Sequence, residues 1–255
     1  AVLGVTPDTE LVLRRGDAAV IHEVEGSDTA PWAGGLPAGI PLLAGPDTRH
    51  LVHVADRELT VYGVGEGTTF SELRRHPLPG RPQVVHVGTR LVAAAAFGRV
   101  TAWRLDDGSV LLDRPIDENR IESLAVHDDA ELVAVGGWSD RVRVLDANRD
   151  IELSIPRRPG ADQLLTLEFL YAGPTLAVGE RGGITLWRPD EGVVARWDRP
   201  GAAIADLLAT GGELLALDRS TSTAVILSLG DLRVEQVVKA SDRAPWAVAA
   251  DPAGR

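Results

Sequence analysis

Residues 83–112 read QVVHVGTRLVAAAAFGRVTAWRLDDGSVLL, and this stretch decides the fold. Gln83 to Val87 alternates, Gly88 to Arg90 turns, and Leu91 to Phe97 runs apolar. Gly98-Arg99 turns again, Val100 to Leu105 runs a third time, Asp106-Asp107-Gly108 reverses the chain, and Ser109 to Leu112 follows. Apolar runs of about five residues, rich in Val, Ala and Thr and punctuated by Gly and Asp, have strand length and are too short for a stable amphipathic helix. Four such strands on tight turns make one antiparallel meander.

The pattern recurs along the chain. Short apolar pairs fall at Leu11-Val12, Leu51-Val52, Leu91-Val92, Leu132-Val133, Leu176-Ala177 and Leu214-Leu215, spaced by 40, 40, 41, 44 and 38 residues. Each is followed by a second β-rich run centred on Ile21, Tyr62, Trp103, Leu145, Trp187 or Ile226. A sheet built from about 40 residues cannot cover both of its faces alone, so neighbouring copies must stack on it, and radial closure protects most edges. The expected fold class is therefore all-β, a β-propeller of six recognisable four-stranded blades plus a partial seventh, closing with six or seven blades. A TIM barrel or Rossmann sheet needs a helix after each strand, and none is available. A solenoid of sheets remains open, although all-strand solenoid units are typically shorter.

The residues resemble the WD40-repeat family. Thr6-Pro7-Asp8, Gly45-Pro46-Asp47 and Asp251-Pro252-Ala253-Gly254 look like that family's Ser-Pro-Asp-Gly turn, and Trp246 to Pro252 is similar to its inner strand. Val100 to Trp103 and Ile184 to Trp187 match the place of its signature tryptophan, and Leu145-Asp146 keeps an aspartate there. The resemblance covers almost the whole chain and is that of a divergent member. No Gly-His dipeptide occurs, and the one Trp-Asp pair, Trp197-Asp198, falls in an expected outer strand. In the family an aspartate six residues before the tryptophan joins a buried hydrogen-bond network. The matching positions here hold Asp56, Phe97, Ser139 and Arg181, so that network is expected to be incomplete. Kelch repeats fit less well, since only Gly136-Gly137 and Gly182-Gly183 match their paired glycines.

The 255 residues carry 26 Lys plus Arg and 37 Asp plus Glu, a formal charge of −11, with 44% hydrophobic residues. That is ample for a core and excludes wholesale disorder. No apolar run is long enough to span a bilayer and no signal-like segment opens the chain, so no membrane insertion is expected. The acidic balance disfavours nucleic acid and suits a basic protein or peptide partner. Cysteine is absent, which removes disulfides and thiolate chemistry and leans toward the cytoplasm. With 25 Arg, one Lys and abundant Ala and Gly, the composition reads as that of a high-GC bacterial genome.

One propeller domain over 1–255 is expected, with approximate units 1–38, 39–80, 81–119, 120–160, 161–201 and 202–240 and a partial unit at 241–255. The chain reads as a piece of a longer polypeptide whose other domains are among its partners. Ser27 to Gly39, with Pro31 and Pro37, makes a poor fourth strand and reads as a loop.

Catalytic groups are hard to assemble. The doublets Asp106-Asp107, Asp117-Glu118 and Asp128-Asp129 sit in expected turns, where acids are solvated punctuation. Gly63-Val64-Gly65-Glu66-Gly67 imitates a phosphate loop, but a strand, Thr68 to Leu73, follows where a helix N-terminus is needed. His50 and His53, three apart on a strand, point to opposite faces and cannot share a metal. No Gly-x-Ser-x-Gly elbow occurs. The two asparagines, Asn119 and Asn148, lie in loops, so calcium-dependent propeller lactonases are not matched. His86 and His127 each lie five residues before their Leu-Val anchor, with Tyr171 in the same place one unit on. These three define an alternative reading, a channel-mouth site that binds a small ligand or a metal or serves an enzyme's proton transfer, against a plain role in hairpin turns. Neither a cofactor nor a bound metal is called for.

Tryptophan is the better clue. Trp138, in Gly136-Gly137-Trp138-Ser139-Asp140-Arg141, falls between the second and third strands of its unit, where a core role is awkward. Trp32 and Trp246 follow similar Ser-Asp-x-Ala-Pro connectors and are either rim or blade-packing residues, while Trp103 and Trp187 read as core. Trp138, Asp140 and Arg141, with Trp32 and Trp246, are thus the candidate partner-binding residues of a noncatalytic scaffold or interaction module. A purely structural spacer is the third possibility.

Overall fold

The computed structural model describes residues 2–5, 10–15, 18–23, 29–31, 42–44, 50–64, 70–118, 120–158, 164–170, 173–210 and 212–239. Every regular element among them is a β-strand. The chain divides into two compact units, one running to Arg114 and the other starting at Pro115.

The first unit holds three four-stranded antiparallel sheets. The first is β1 (Val2–Val5), β2 (Glu10–Arg15), β3 (Ala18–Glu23) and β4 (Thr29–Pro31). The second is β5 (Leu42–Ala44), β6 (His50–Val54), β7 (Glu58–Val64) and β8 (Phe70–Pro77). The third is β9 (Val84–Val87), β10 (Leu91–Ala96), β11 (Arg99–Arg104) and β12 (Val110–Pro115). In each, strands pair in chain order, as a meander requires. The expected loop from Ser27 is corrected in part, because β4 pairs with β3 through Val20↔Pro31. A proline is admissible there because β4 is the sheet's edge, where a missing N–H breaks no ladder. The strand expected to run through Phe97 ends at Ala96, and Phe97 begins the turn.

Strand β10, LVAAAA, is buried at every position, as a strand covered on both faces must be, and its alanines let the covering layers approach closely. Val52, Leu59, Val87, Val92 and Trp103 share one core between the second and third sheets. The Trp103 ring lies 4.9 Å from the buried His76 ring, and burial, with Arg74 nearby, holds that imidazole below its ordinary pKa.

The second unit holds β13 (Ile121–His127), β14 (Leu132–Gly137), β15 (Arg141–Asp146) and β16 (Ile151–Pro156) in one four-stranded sheet. A six-stranded sheet follows: β17 (Leu164–Leu170), β18 (Thr175–Arg188), β19 (Gly192–Thr210), β20 (Glu213–Asp218), β21 (Thr223–Ser228) and β22 (Val234–Lys239). Two of these strands are double. Thr175 to Glu180 of β18 pairs with β17 and Gly183 to Arg188 with β19, the halves meeting at Gly182 and Gly183 with φ of +90° and +137°. A Cβ on Gly183 would lie 1.9 Å from the Trp197 carbonyl oxygen, so only glycine fits. Similarly β19 leaves β18, passes Gly201, and pairs with β20 from Ile204 onward. The six-stranded sheet is therefore two four-stranded meanders in tandem. Burial falls toward the outer strands, from β14, sealed throughout, to β22, exposed throughout.

Candidate functional site

The β14–β15 hairpin presents Trp138-Ser139-Asp140 between the sealed strand β14 and Arg141. Trp138 is 59% exposed, an uncommon state for indole. The Arg120 guanidinium sits 4.7 Å from its ring centroid, and Arg120 is in turn paired with Glu122 at 2.9 Å. Asp140 and Arg141, both open to solvent, form an ion pair at 3.0 Å that holds the Asp140 carboxyl below its ordinary pKa.

Beneath the exposed surface the hairpin is fastened by charge. Glu118 Oε1 accepts the Ser139 N–H at 3.0 Å. Arg157 donates from Nη1 to the Ser139 carbonyl at 2.8 Å and the Gly137 carbonyl at 3.4 Å, and its own N–H reaches the Asp140 carbonyl at 3.1 Å. Its Nε meets Glu180 Oε1 at 2.7 Å, with both side chains buried. Arg158 continues the network: its N–H reaches Glu180 Oε2 at 3.4 Å, and its guanidinium reaches the carbonyls of Gly182, Ile184 and Trp197 and the Asp198 carboxylate. Glu118 Oε2 and Arg157 Nη2 have no hydrogen-bond partner among the described residues.

A carboxylate recurs at this end of each meander of the second unit. Glu180 and Asp218 close their second strands opposite Leu164 and Ile204. In the sheet before, the same place opposite Ile121 is Gly137, and Glu118 reaches in instead. Asp218 is fully buried; burial pushes its carboxyl up, but bonds from Ser220, the Ala203 N–H and Thr221 outweigh that and leave it below its ordinary pKa. The WD40 resemblance implies a network at other positions, Asp56, Phe97, Ser139 and Arg181. Asp56, Phe97 and Arg181 are exposed, and Ser139 joins through its backbone. Glu118 is the correction to the reading of Asp117-Glu118 as solvated. Sequence reasoning also missed Arg157 and Glu180; the one signal was a glutamate ending an otherwise apolar strand.

The channel-mouth candidates fare differently. His86 lies opposite Ala93, whereas His127 lies opposite Leu132. Relative to the Leu-Val anchors, His86 therefore matches Ala125, two residues from His127. The cause is turn length: Gly88 bonds to Leu91 to close a two-residue turn, whereas four residues separate His127 from Leu132. His127 Nδ1 accepts the Ala130 N–H at 3.1 Å, and its ring stands edge-on to Phe169, a turn-stabilising role. Tyr171, Trp32 and Trp246 lie outside the described residues. Among the described residues no three His, Asp or Glu side chains converge as metal ligands.

No family model and no curated protein matches the chain. Among solved structures, a chain of the crystal structure of a mitotic checkpoint complex superposes with a TM-score of 0.77 at 15% identity, covering 100% of this chain and 84% of that one. With its antiparallel four-stranded meanders, the chain has a WD40-like β-propeller fold.

Proposed function

We propose that this chain is a noncatalytic interaction module that binds a protein or peptide partner through the Trp138 hairpin, in a regulatory role within a larger bacterial, cytoplasmic protein. The observation that carries the reading is an exposed indole whose loop is anchored by buried charge. Exposed aromatic and arginine side chains on a preorganised surface concentrate binding energy, because little conformational freedom remains to be lost on docking. WD40-like propellers are typically noncatalytic, which accords with a site that has a stacking platform and an Asp140-Arg141 pair but no nucleophile beside a base. The net charge of −11 and the outward Asp140 favour a basic segment with an apolar residue to lie on Trp138.

The test is crosslinked pull-down with wild type and Trp138→Ala, identifying captured proteins by mass spectrometry. A specific partner should be lost from the variant, whose stability should stay within about 0.5 kcal/mol because the residue is a surface one. Equal capture by both chains removes Trp138 from the account.

A further inference from the structure

A second exposed aromatic stands in the first unit, on a different hairpin. Ala96 pairs with Arg99, so Phe97-Gly98 is a two-residue turn, with φ of 50° and 67°. Turns with two positive φ values favour Asn or Asp followed by Gly; a bulky side chain at the first position is strained. Phe97 is also 78% exposed, so burying its ring does not offset that strain. An unfavourable backbone conformation that serves to hold an apolar ring in water points to a use for the ring.

The ring is nevertheless positioned. A Cβ added to Gly80 would fall 1.9 Å from Phe97 Cε2 and 2.1 Å from Cδ2, so the aromatic edge rests on bare glycine backbone in the β8–β9 connector. That connector is pinned by Arg57, whose Nη2 donates to the Pro79 carbonyl at 2.8 Å while its carbonyl accepts the Leu78 N–H. Arg81, next to Gly80, is exposed and has no partner among the described residues. Arg99, which closes the turn, is held by Asp113 at 2.7 Å. Arg57, bonded to the Pro79 carbonyl, and Arg81, next in sequence to Gly80, thus bring two exposed guanidinium-bearing residues to the connector on which the ring sits, on a chain of net charge −11.

We propose that Phe97, seated on Gly80 and flanked by Arg57 and Arg81, docks an acidic peptide segment carrying an apolar side chain. The apolar residue lies against the ring, and neighbouring carboxylates meet the guanidiniums, whose planar forks match them. The surface is independent of the Trp138 hairpin and of what binds there.

The probe is a fluorescein-labelled acetyl-Glu-Asp-Leu-Phe-Asp-Glu-amide, followed by fluorescence polarisation at low and moderate salt. Its comparators carry Lys for the acids, or Ala for Leu and Phe. Wild type should bind the acidic apolar peptide, more weakly as salt rises, and bind each comparator at least tenfold less well. Phe97→Asn puts a residue suited to positive φ in the turn, so its urea midpoint should hold or rise while affinity falls at least tenfold. Arg81→Glu should lose as much, and Trp138→Ala should bind as wild type does. The proposal is overturned if wild type fails to bind at millimolar peptide, if the basic peptide binds as well, if Phe97→Asn binds unchanged, or if Trp138→Ala is the variant that loses binding.

Discussion

Glu168 makes the fold's stability depend on pH in a direction opposite to that of most carboxylates. It sits on β17 opposite Ala177, and burial, with the Asp206 charge adding to it, pushes its carboxyl up to about 8 despite a backbone bond from Ala209. In the unfolded chain the same group titrates near 4.5. The folded form thus holds the proton more tightly. Its contribution is fully present below about pH 4.5 and is lost as pH rises toward 8, where both forms are ionised. At about 1.36 kcal/mol per pH unit the gap sets a ceiling of about 5 kcal/mol. Glu168 keeps part of its surface in water, which brings the expected figure to about 2–3 kcal/mol. Glu168→Gln keeps an acceptor for the Ala209 N–H and cannot ionise. Urea unfolding followed by tryptophan fluorescence should therefore give variant and wild type similar stability at pH 4, and a variant more stable by about 2–3 kcal/mol at pH 8.5. Comparing the two chains at each pH cancels the other titrating groups. A difference that stays constant across that range refutes the buried-carboxyl account.

The ion-pair network and the glycine under the hairpin make two further predictions. Glu180→Ala leaves the buried Arg157 without its carboxylate and should cost about 3–5 kcal/mol in urea unfolding, with Glu180→Gln intermediate. Gly137→Ala places a methyl 1.9 Å from the Arg120 carbonyl oxygen and 2.5 Å from Glu118 Oε1, so backbone must move. It should cost about 1–3 kcal/mol and shift the Trp138 emission, because the displaced residue is the one stacked on the indole.

The strands were legible because each meander repeats a local signal, a short apolar run closed by Gly or Asp, that needs no knowledge of distant contacts. Residues 83–112 show this, their four expected strands falling on β9 to β12 with ends shifted by at most three residues. What spacing could not carry was register. His86 and His127 share a distance to the next Leu-Val pair, yet a two-residue turn in one sheet and a four-residue turn in the other set them two positions apart. The hairpin supports were illegible for another reason. Glu118 meets Ser139 across 21 residues and Arg157 meets Glu180 across 23, pairings with no periodicity to mark them. Phe97-Gly98 was readable as a turn in principle, but the alanine run before it drew the phenylalanine into the strand.

Why a propeller-like sheet should spend arginine in its interior follows from what a guanidinium does there. A buried ion pair adds little over apolar packing of equal volume, because desolvation cancels most of its attraction. Leucine at position 157 would fill space without preferring one hairpin geometry. Arg157 instead directs donors in a fixed plane at the Gly137 and Ser139 carbonyls and at Glu180, tying the β14–β15 hairpin to the end of β18. Arg158 does the same for the Gly182 turn and the β19 backbone at Trp197. Loops fixed from below lose little entropy when something docks above them. On the reading proposed above, that rigidity is what suits the Trp138 surface to contact, since a loop that only connects two strands has less need of it.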